Sequence, residues 1–456
     1  MGNLLCARFL GKTRPGQRLV DTGSTEMNLA PIHSLCLVYR KTRQKKYLDL
    51  ARQIVDEFAA TAPNGTPLAG NYLQAALAGM EFFQTPKPRW ESLHPILGLA
   101  ELYYLTGEAS FRYAFEHLWN SMAKTDRHNT GGFTAGEQAQ GNPYHRGAIE
   151  TCCCVAWLAM TVEMLRLTAN PLVADELELT TLNTILGAIS PTGRWATYDT
   201  PMDGVRRASA HSIVFQSREG TPELNCCSVN APRGLGILSD WAVMADAEGL
   251  IVNWYEAGRT DVPLGNGATV RLGQETDYSF SGRVRLMVSP TRSTEFCLRV
   301  RIPRWSNRTR LTVNGVAATG VRPGTYASIQ RKWKKNDRVD IELDLAFHTW
   351  PGERECAGTA SLYRGPMLLA YDRRYNAFDP HNVPALDALA LRARRSQWTH
   401  WMPPLVLLRF RAVDGQAVRL CDFASAGHGG SPYRSWLPIE NADALPQHFG
   451  GVSLSP

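Results

Sequence analysis

The sequence predicts a mainly α N-terminal part, an (α/α) toroid or barrel, followed by all-β sandwich domains. A helical template recurs at a nearly fixed spacing up to about residue 245, and the apolar period changes to two after about residue 246. Asn314-Gly315, set between apolar runs, adds a tight-hairpin signal. The chain divides accordingly into 1–27, left unplaced; 28–246, helical; 247–375, a β-sandwich; and 376–456, a β extension with loops and a mobile end.

The first 27 residues show neither period. Thereafter Tyr39-x-x-Thr42 followed by Tyr47, Tyr103-x-x-Thr106 followed by Phe111, and Leu165-x-x-Thr168 followed by Val173 share one template. Its threonines stand at 42, 106 and 168, so the copies are 64 and 62 residues apart. Each copy reads as the end of one helix, a short turn and the start of the next. Leu93, Ile96, Leu97, Ala100 and Leu102 before the second copy, and Phe111, Ala114, Phe115 and Leu118 after it, keep the helical period. Stacked helical hairpins form solenoids or α/α toroids. From Thr269-Val-Arg-Leu through Val284-Arg-Leu-Met-Val and Phe296-Cys-Leu-Arg-Val-Arg-Ile to Arg338-Val-Asp-Ile-Glu-Leu, apolar and polar residues alternate, as in strands with one buried face. Leu405-Val-Leu-Leu-Arg-Phe-Arg is a further strand, and Gly427 to Gly430 a glycine-rich turn.

Composition narrows the function. With 456 residues, 44% apolar and 20% charged, the chain is globular and long enough for two or three cores. The longest apolar run, Cys152 to Met160, has nine residues against the roughly 20 that a membrane span needs, so no membrane is expected. The excess of 49 Lys and Arg over 42 Asp and Glu is spread over strands such as Arg299 to Arg310 rather than gathered with aromatics, and nucleic acid is not expected as a partner. Arg8 and Lys12 interrupt the start before a signal core forms, which makes a cytoplasmic protein the default. The oligomeric state is left open, a homodimer included.

Five of the ten cysteines fall in two clusters, Cys152-Cys153-Cys154 and Cys226-Cys227. Adjacent cysteines rarely bond to each other, and clusters of this kind read as metal ligands or reactive thiols. Glu150, Cys152, Cys226 and Cys227 offer three thiolates and a carboxylate, a set suited to zinc, provided Glu150 and Cys152 sit at a helix start rather than on a helix face. The alternative, small buried hydrophobes, fits Cys6, Cys36, Cys297, Cys356 and Cys421, and packing also fits Cys153 and Cys154. Tyr198 and His211 lie in loops leading to the cysteine pair, where they could reach a bound ligand or simply pack, and Trp195 could stack on a ligand or be core.

The series Thr130-Gly-Gly-Phe133, Gly136-Glu137, Glu150-Thr-Cys152, Glu178-Leu-Thr-Thr-Leu-Asn183, Tyr198-Asp-Thr-Pro201 and Cys226-Cys227-Ser-Val-Asn230 resembles glycoside hydrolase family 127. Its best-known members are β-L-arabinofuranosidases. Leu272 to Tyr278, Arg301-Ile-Pro-Arg-Trp305, Val313-Asn-Gly315 and Tyr363-Arg-Gly-Pro366 look like that family's β part, so the likeness runs from about residue 28 to 370. The resemblance implies a retaining hydrolysis of a non-reducing-end furanoside or related plant-type sugar through a thioglycosyl-enzyme. It places the nucleophile on Cys226, zinc on Glu150, Cys152, Cys226 and Cys227, the acid/base on Glu137 and a pocket histidine at His94.

Family members carry well over a hundred further residues before Glu-Thr-Cys, which makes the expected (α/α)6 barrel incomplete here, reduced or cut short upstream. Ser228 also stands where proline is common. Two other readings remain: a non-catalytic, zinc-stapled carbohydrate-binding or scaffold protein, and a different toroid sugar enzyme, a lyase or epimerase.

Overall fold

The repeated template forms three helical hairpins with one shared turn. In the computed structural model, which describes residues 1–207, 226–398 and 402–450, α1 (Gly2–Phe9) is followed by α2 (Pro31–Thr42) and α3 (Lys45–Asp56). Then come α4 (Tyr72–Leu77), α5 (Leu93–Thr106), α6 (Ala109–Thr125), α7 (Thr151–Thr168) and α8 (Pro171–Thr180). Helices α2, α5 and α7 all end on the template threonine. Each threonine hydroxyl donates to the carbonyl four residues back (Val38, Leu102, Met164) and accepts the backbone N–H two residues on (Gln44, Glu108, Asn170). The residue between, Arg43, Gly107 or Ala169, is left-handed and returns its N–H to the template's first residue, Tyr39, Tyr103 or Leu165. This αL cap satisfies orphan carbonyls and turns the chain into the next helix.

The first 27 residues contain structure that their short periods hide. Cys6 and Phe9 of α1 are buried, and Tyr47 of α3 donates to Asn3. Eight residues are too few to display an amphipathic period against its background. Helix α7 is apolar enough over 18 residues to pass for a membrane span, yet 78% of it is buried within the protein. Its Trp157 stacks on Trp119 of α6 and on Phe133, and it behaves as the core helix.

Short α9 (Leu186–Ala188), α10 (Cys226–Gly236) and α11 (Leu238–Trp241) complete the helices, with a two-residue strand β1 (Asp203–Gly204) before α10. Strands then follow without interruption. The set β2 (Val243–Ala245), β3 (Gly249–Val252), β7 (Thr294–Ile302) and β10 (Thr325–Trp333) forms one four-stranded sheet. A six-stranded sheet takes β4 (Gly258–Pro263), β5 (Thr269–Thr276), β6 (Arg283–Pro290), β11 (Asp337–Glu342), β8 (Arg310–Val313) and β9 (Val316–Ala317). Their apolar faces share one core, and Asn314 and Gly315, both at positive φ, close the predicted hairpin.

The third large sheet holds β12 (Phe347–Pro351), β13 (Ala360–Arg364), β14 (Met367–Asp372), β16 (Arg394–Arg395), β17 (Leu407–Arg411), β18 (Ala417–Asp422) and β19 (Tyr433–Arg434), together with β1. Strands β15 (Leu386–Asp387) and β20 (Ile439–Glu440) pair separately. The eight-stranded sheet draws on both sides of residue 375, and strands β18 and β19 of the later segment pair with β14. A local reading of periodicity cannot see this, because the pairing of Leu369–Tyr371 with Leu420–Asp422 spans about fifty residues.

Buried charge ties the helical and β parts together. Arg301 of β7 is fully buried between Asp175 and Glu178 of α8, and Arg304 reaches Asp175 and Glu176. Tyr278 donates to Glu178 at 2.6 Å, and Asn183 binds both the Pro366 carbonyl and the Leu368 N–H. Several residues that carried the family likeness, Glu178, Asn183, Arg301 and Arg304, thus serve this junction. Buried carboxylates and guanidinium groups are tolerated there because each has a partner.

Candidate active site and metal centre

Two helix starts meet at the cysteine clusters. Glu150 is the N-cap of α7, which puts Cys152 in its first turn, and Cys226 and Cys227 open α10, which packs against α7. The N–H groups at helix starts favour negative charge, thiolates included. The expected offset between Glu150 and Cys152 is met because Glu150 is extended and only Cys152 is helical.

One ligand atom from each of Glu150, Cys152, Cys226 and Cys227 lies within 4.8 Å of the others. Cys152 Sγ is 3.3 Å from Cys227 Sγ, and Cys227 Sγ is 3.6 Å from Glu150 Oε1. Cys153 also approaches Glu150, 3.3 Å from Oε2, and Asn230 donates to Cys152 Sγ at 3.2 Å. Burial is uneven: Glu150, Cys152 and Cys227 are at most 1% exposed, whereas Cys226 is open to solvent.

Left to themselves, four acids this close cannot all ionise. Burial, then the neighbouring Cys152, pushes the Glu150 carboxyl up, and burial does the same to the Cys226 thiol. Cys152 is held below its ordinary value, chiefly by the hydrogen bond from Cys227, whose own thiol is correspondingly raised. No Lys or Arg among the described residues forms an ion pair with Glu150. Soft thiolates plus one carboxylate, crowded and without a cationic partner, form a set that could hold a metal ion.

Glu137 stands beside this cluster, half-exposed on the loop before α7. Its backbone is left-handed (φ 65°) directly after Gly136 in the same conformation. Such a non-glycine residue costs about 1–3 kcal/mol and needs support from its surroundings. That support comes from bridges on both sides, Ala135 to Ile149 and Gln138 to Arg89, and from Trp90 N–H bonding the Glu137 carbonyl at 3.2 Å. The carboxylate accepts from Tyr198 OH at 3.0 Å on one oxygen and from Arg89 at 3.1 Å on the other. Burial pushes the Tyr198 phenol up, followed by the charges of Glu150 and Glu137, so it remains a donor. A bridge between Glu150 and Asp199, next to Tyr198, fastens the two halves of the site.

Further in, His128 holds the same loop. Its Nε2 accepts the Ala135 N–H at 3.2 Å while Nδ1 faces the Pro143 carbonyl at 2.8 Å, which requires the neutral ring. Burial pushes its pKa down to about 4.

Not every expected residue joins this arrangement. His94 lines a different cavity of ≈ 720 Å³, with His33, Glu163 and Arg233 but none of the four thiol and carboxylate donors. Trp195 is half-buried, and its carbonyl accepts the Ser190 N–H in a turn. His211 lies outside the described residues. Sequence reasoning missed Arg89 and His128, and gave Asn230, the last residue of the Cys226 motif, no role of its own. Arg89 follows prolines at 86 and 88, a hint of a fixed loop, but nothing local points it at residue 137.

Against known proteins, the model of the β-L-arabinofuranosidase GH127 catalytic domain matches residues 10–239 and that of the GH127 middle domain residues 249–345. The chain belongs to glycoside hydrolase family 127. Its fold is similar to that of a GH127 β-arabinofuranosidase, with a TM-score of 0.76 and 21% identity over 98% of this chain and 73% of the other. A second structure, described as a glycoside hydrolase, gives 0.77 and 20% identity over 96% and 78%. A GH127 β-L-arabinofuranosidase from Geobacillus stearothermophilus T6 gives 0.74 and 19% over 96% and 75%. No curated protein matches by sequence. Family membership makes the protein a glycoside hydrolase, and the cysteine and glutamate cluster sits within its catalytic-domain match.

Proposed function

We propose that the protein is a retaining glycosidase of the β-L-arabinofuranosidase type, acting on a furanoside or related plant-type sugar with Cys226 as nucleophile and Glu137 as acid/base. The observation that carries this reading is the pairing of one solvent-accessible thiol, in a buried set of acids, with a glutamate anchored beside it. Of the four donors only Cys226 can meet a sugar. We read the metal as zinc, held by Glu150, Cys152, Cys226 and Cys227, since three sulfurs and one carboxylate suit a tetrahedral site. Zinc supplies positive charge that keeps the thiols ionised and makes sulfur a better leaving group. We also read the three hairpins as part of an (α/α) toroid.

In the first step the Cys226 sulfur forms a bond to the anomeric carbon as the glycosidic C–O bond breaks. Glu137 gives its proton to the departing oxygen. In the second, Glu137 takes a proton from water, whose oxygen bonds to the same carbon as the C–S bond breaks and the thiolate returns. Two inversions give net retention. Tyr198 and Arg89 keep the Glu137 carboxylate aimed at the site while its proton comes and goes.

The test is Cys226→Ser on an aryl β-L-arabinofuranoside, with the product anomer read by NMR in the wild type. Activity should fall at least about a thousandfold with the fold intact, and the first-formed product should keep the β configuration. Undiminished turnover in the variant, or an unsaturated product, overturns the reading.

A further inference from the structure

A row of arginines crosses the far end of the eight-stranded sheet. In the strand register Arg394 of β16 faces Arg409 of β17, and Arg409 faces Arg419 of β18. Arg411, two residues on from Arg409, projects from the same face, since Leu408 and Phe410 between them are buried in the core. Arg392, Arg394, Arg409 and Arg411 are exposed and line an open cavity of ≈ 480 Å³ floored by Gly415, Gln416 and Ala417. Arg419 is half-buried and donates to the Tyr375 carbonyl at 3.3 Å.

The arrangement is unfavourable unless something negative covers it. Like charges directly opposite on neighbouring strands destabilise a sheet. Elsewhere on the β part several exposed arginines are paired across strands or turns, as are Arg271 with Asp261, Arg285 with Asp340 and Arg308 with Asp344. Among the described residues no carboxylate pairs with any of the five on this face. Five guanidinium groups without a carboxylate partner among the described residues are comparable to the net charge of the whole chain, +7.

We infer that this face binds a carboxylated polysaccharide, a run of uronic acid residues, and holds the polymer while the candidate active site works on a neighbouring sugar. The choice of a sugar polymer rests on the glycosidase reading above. The guanidinium fork matches a planar carboxylate in two parallel hydrogen bonds, which a lysine patch would not. A nucleic acid fits less well, because the aromatic lining residue, Phe410, is buried and offers no base a stacking surface. The sheet also supplies the reach. Its order is β1-β19-β14-β18-β17-β16, five steps of about 4.8 Å, or about 24 Å from the arginine edge to β1. Strand β1 begins four residues after Asp199, which bridges Glu150.

The experiment is retardation of the full-length protein in gels containing polygalacturonate, neutral arabinan or duplex DNA, for the wild type, Arg394→Gln/Arg409→Gln and Arg411→Gln, with aryl-arabinofuranoside hydrolysis followed in parallel. Polygalacturonate should retard the wild type, with affinity about tenfold lower or less in the double variant and intermediate in Arg411→Gln. Added salt should weaken the binding, and aryl-glycoside turnover should be unchanged in all three proteins. No retardation by polygalacturonate overturns the inference, as do undiminished binding in both variants and DNA bound as tightly as polygalacturonate. Binding is read without turnover, so failure of the catalytic reading appears separately, as wild-type protein that does not hydrolyse the aryl glycoside.

Discussion

Cys226 and Cys227 are neighbours in sequence and opposites in environment: one thiol faces solvent, the other is fully buried against Cys152 and Glu150. This division gives the cluster one outward-facing sulfur without exposing the rest. Glu137 is aimed by two side chains, and each can be tested. Tyr198→Phe removes one hydrogen bond to a carboxylate, worth about 1.5–3 kcal/mol, so kcat should fall roughly 10- to 100-fold with little change in thermal stability. His128 sets a pH limit for the same loop. Its folded pKa, about 4, lies below the ordinary 6.5, so the unfolded chain binds the extra proton first and stability falls as pH drops between these values. Up to about 3 kcal/mol should be lost over that window in urea titrations, and His128→Asn should flatten that slope. An unchanged slope in the variant would remove His128 from this role.

At the scale of elements, the hairpin turns show why the repeated threonine was readable. A hydroxyl at the last helical position satisfies a carbonyl behind it and an N–H ahead of it, so the same residue recurs wherever the same turn is built. The following residue was not constrained in identity, although all three copies need a left-handed backbone. Only Gly107 takes it without cost. Ala169→Gly should therefore raise unfolding stability by about 0.5–1 kcal/mol in denaturant titrations; a loss would show that helix fraying outweighs relief of the left-handed alanine. The donors that could hold a metal are also legible from local patterns, since the N-cap and first turn of a helix place residues 150 and 152 together. Their meeting with residues 226 and 227 depends on α7 packing against α10.

For the whole molecule, the helical and β parts are joined by charge as well as by apolar contact. Arg301 is enclosed by Asp175 and Glu178, and Arg304 adds Asp175 and Glu176. Removing one partner leaves buried charge uncompensated. Arg301→Leu should cost about 3–5 kcal/mol and should lower the protease resistance of the junction, read by the denaturation midpoint and limited proteolysis. A change under about 1 kcal/mol would mean that the junction is held by its apolar core alone. The sequence by itself determined the two periods, the three hairpins and the thiol and carboxylate donor set, because each rests on spacing within one element or on side-chain chemistry; Glu137 entered only through the family resemblance. Tertiary structure alone decided that Cys226 is the accessible thiol, that Tyr198 and Arg89 hold Glu137, that His94 lines another cavity, and that the chain after residue 375 completes a sheet with β14. These depend on contacts between residues up to a hundred or more positions apart, and spacing along a chain carries no record of which distant surfaces will bury each other.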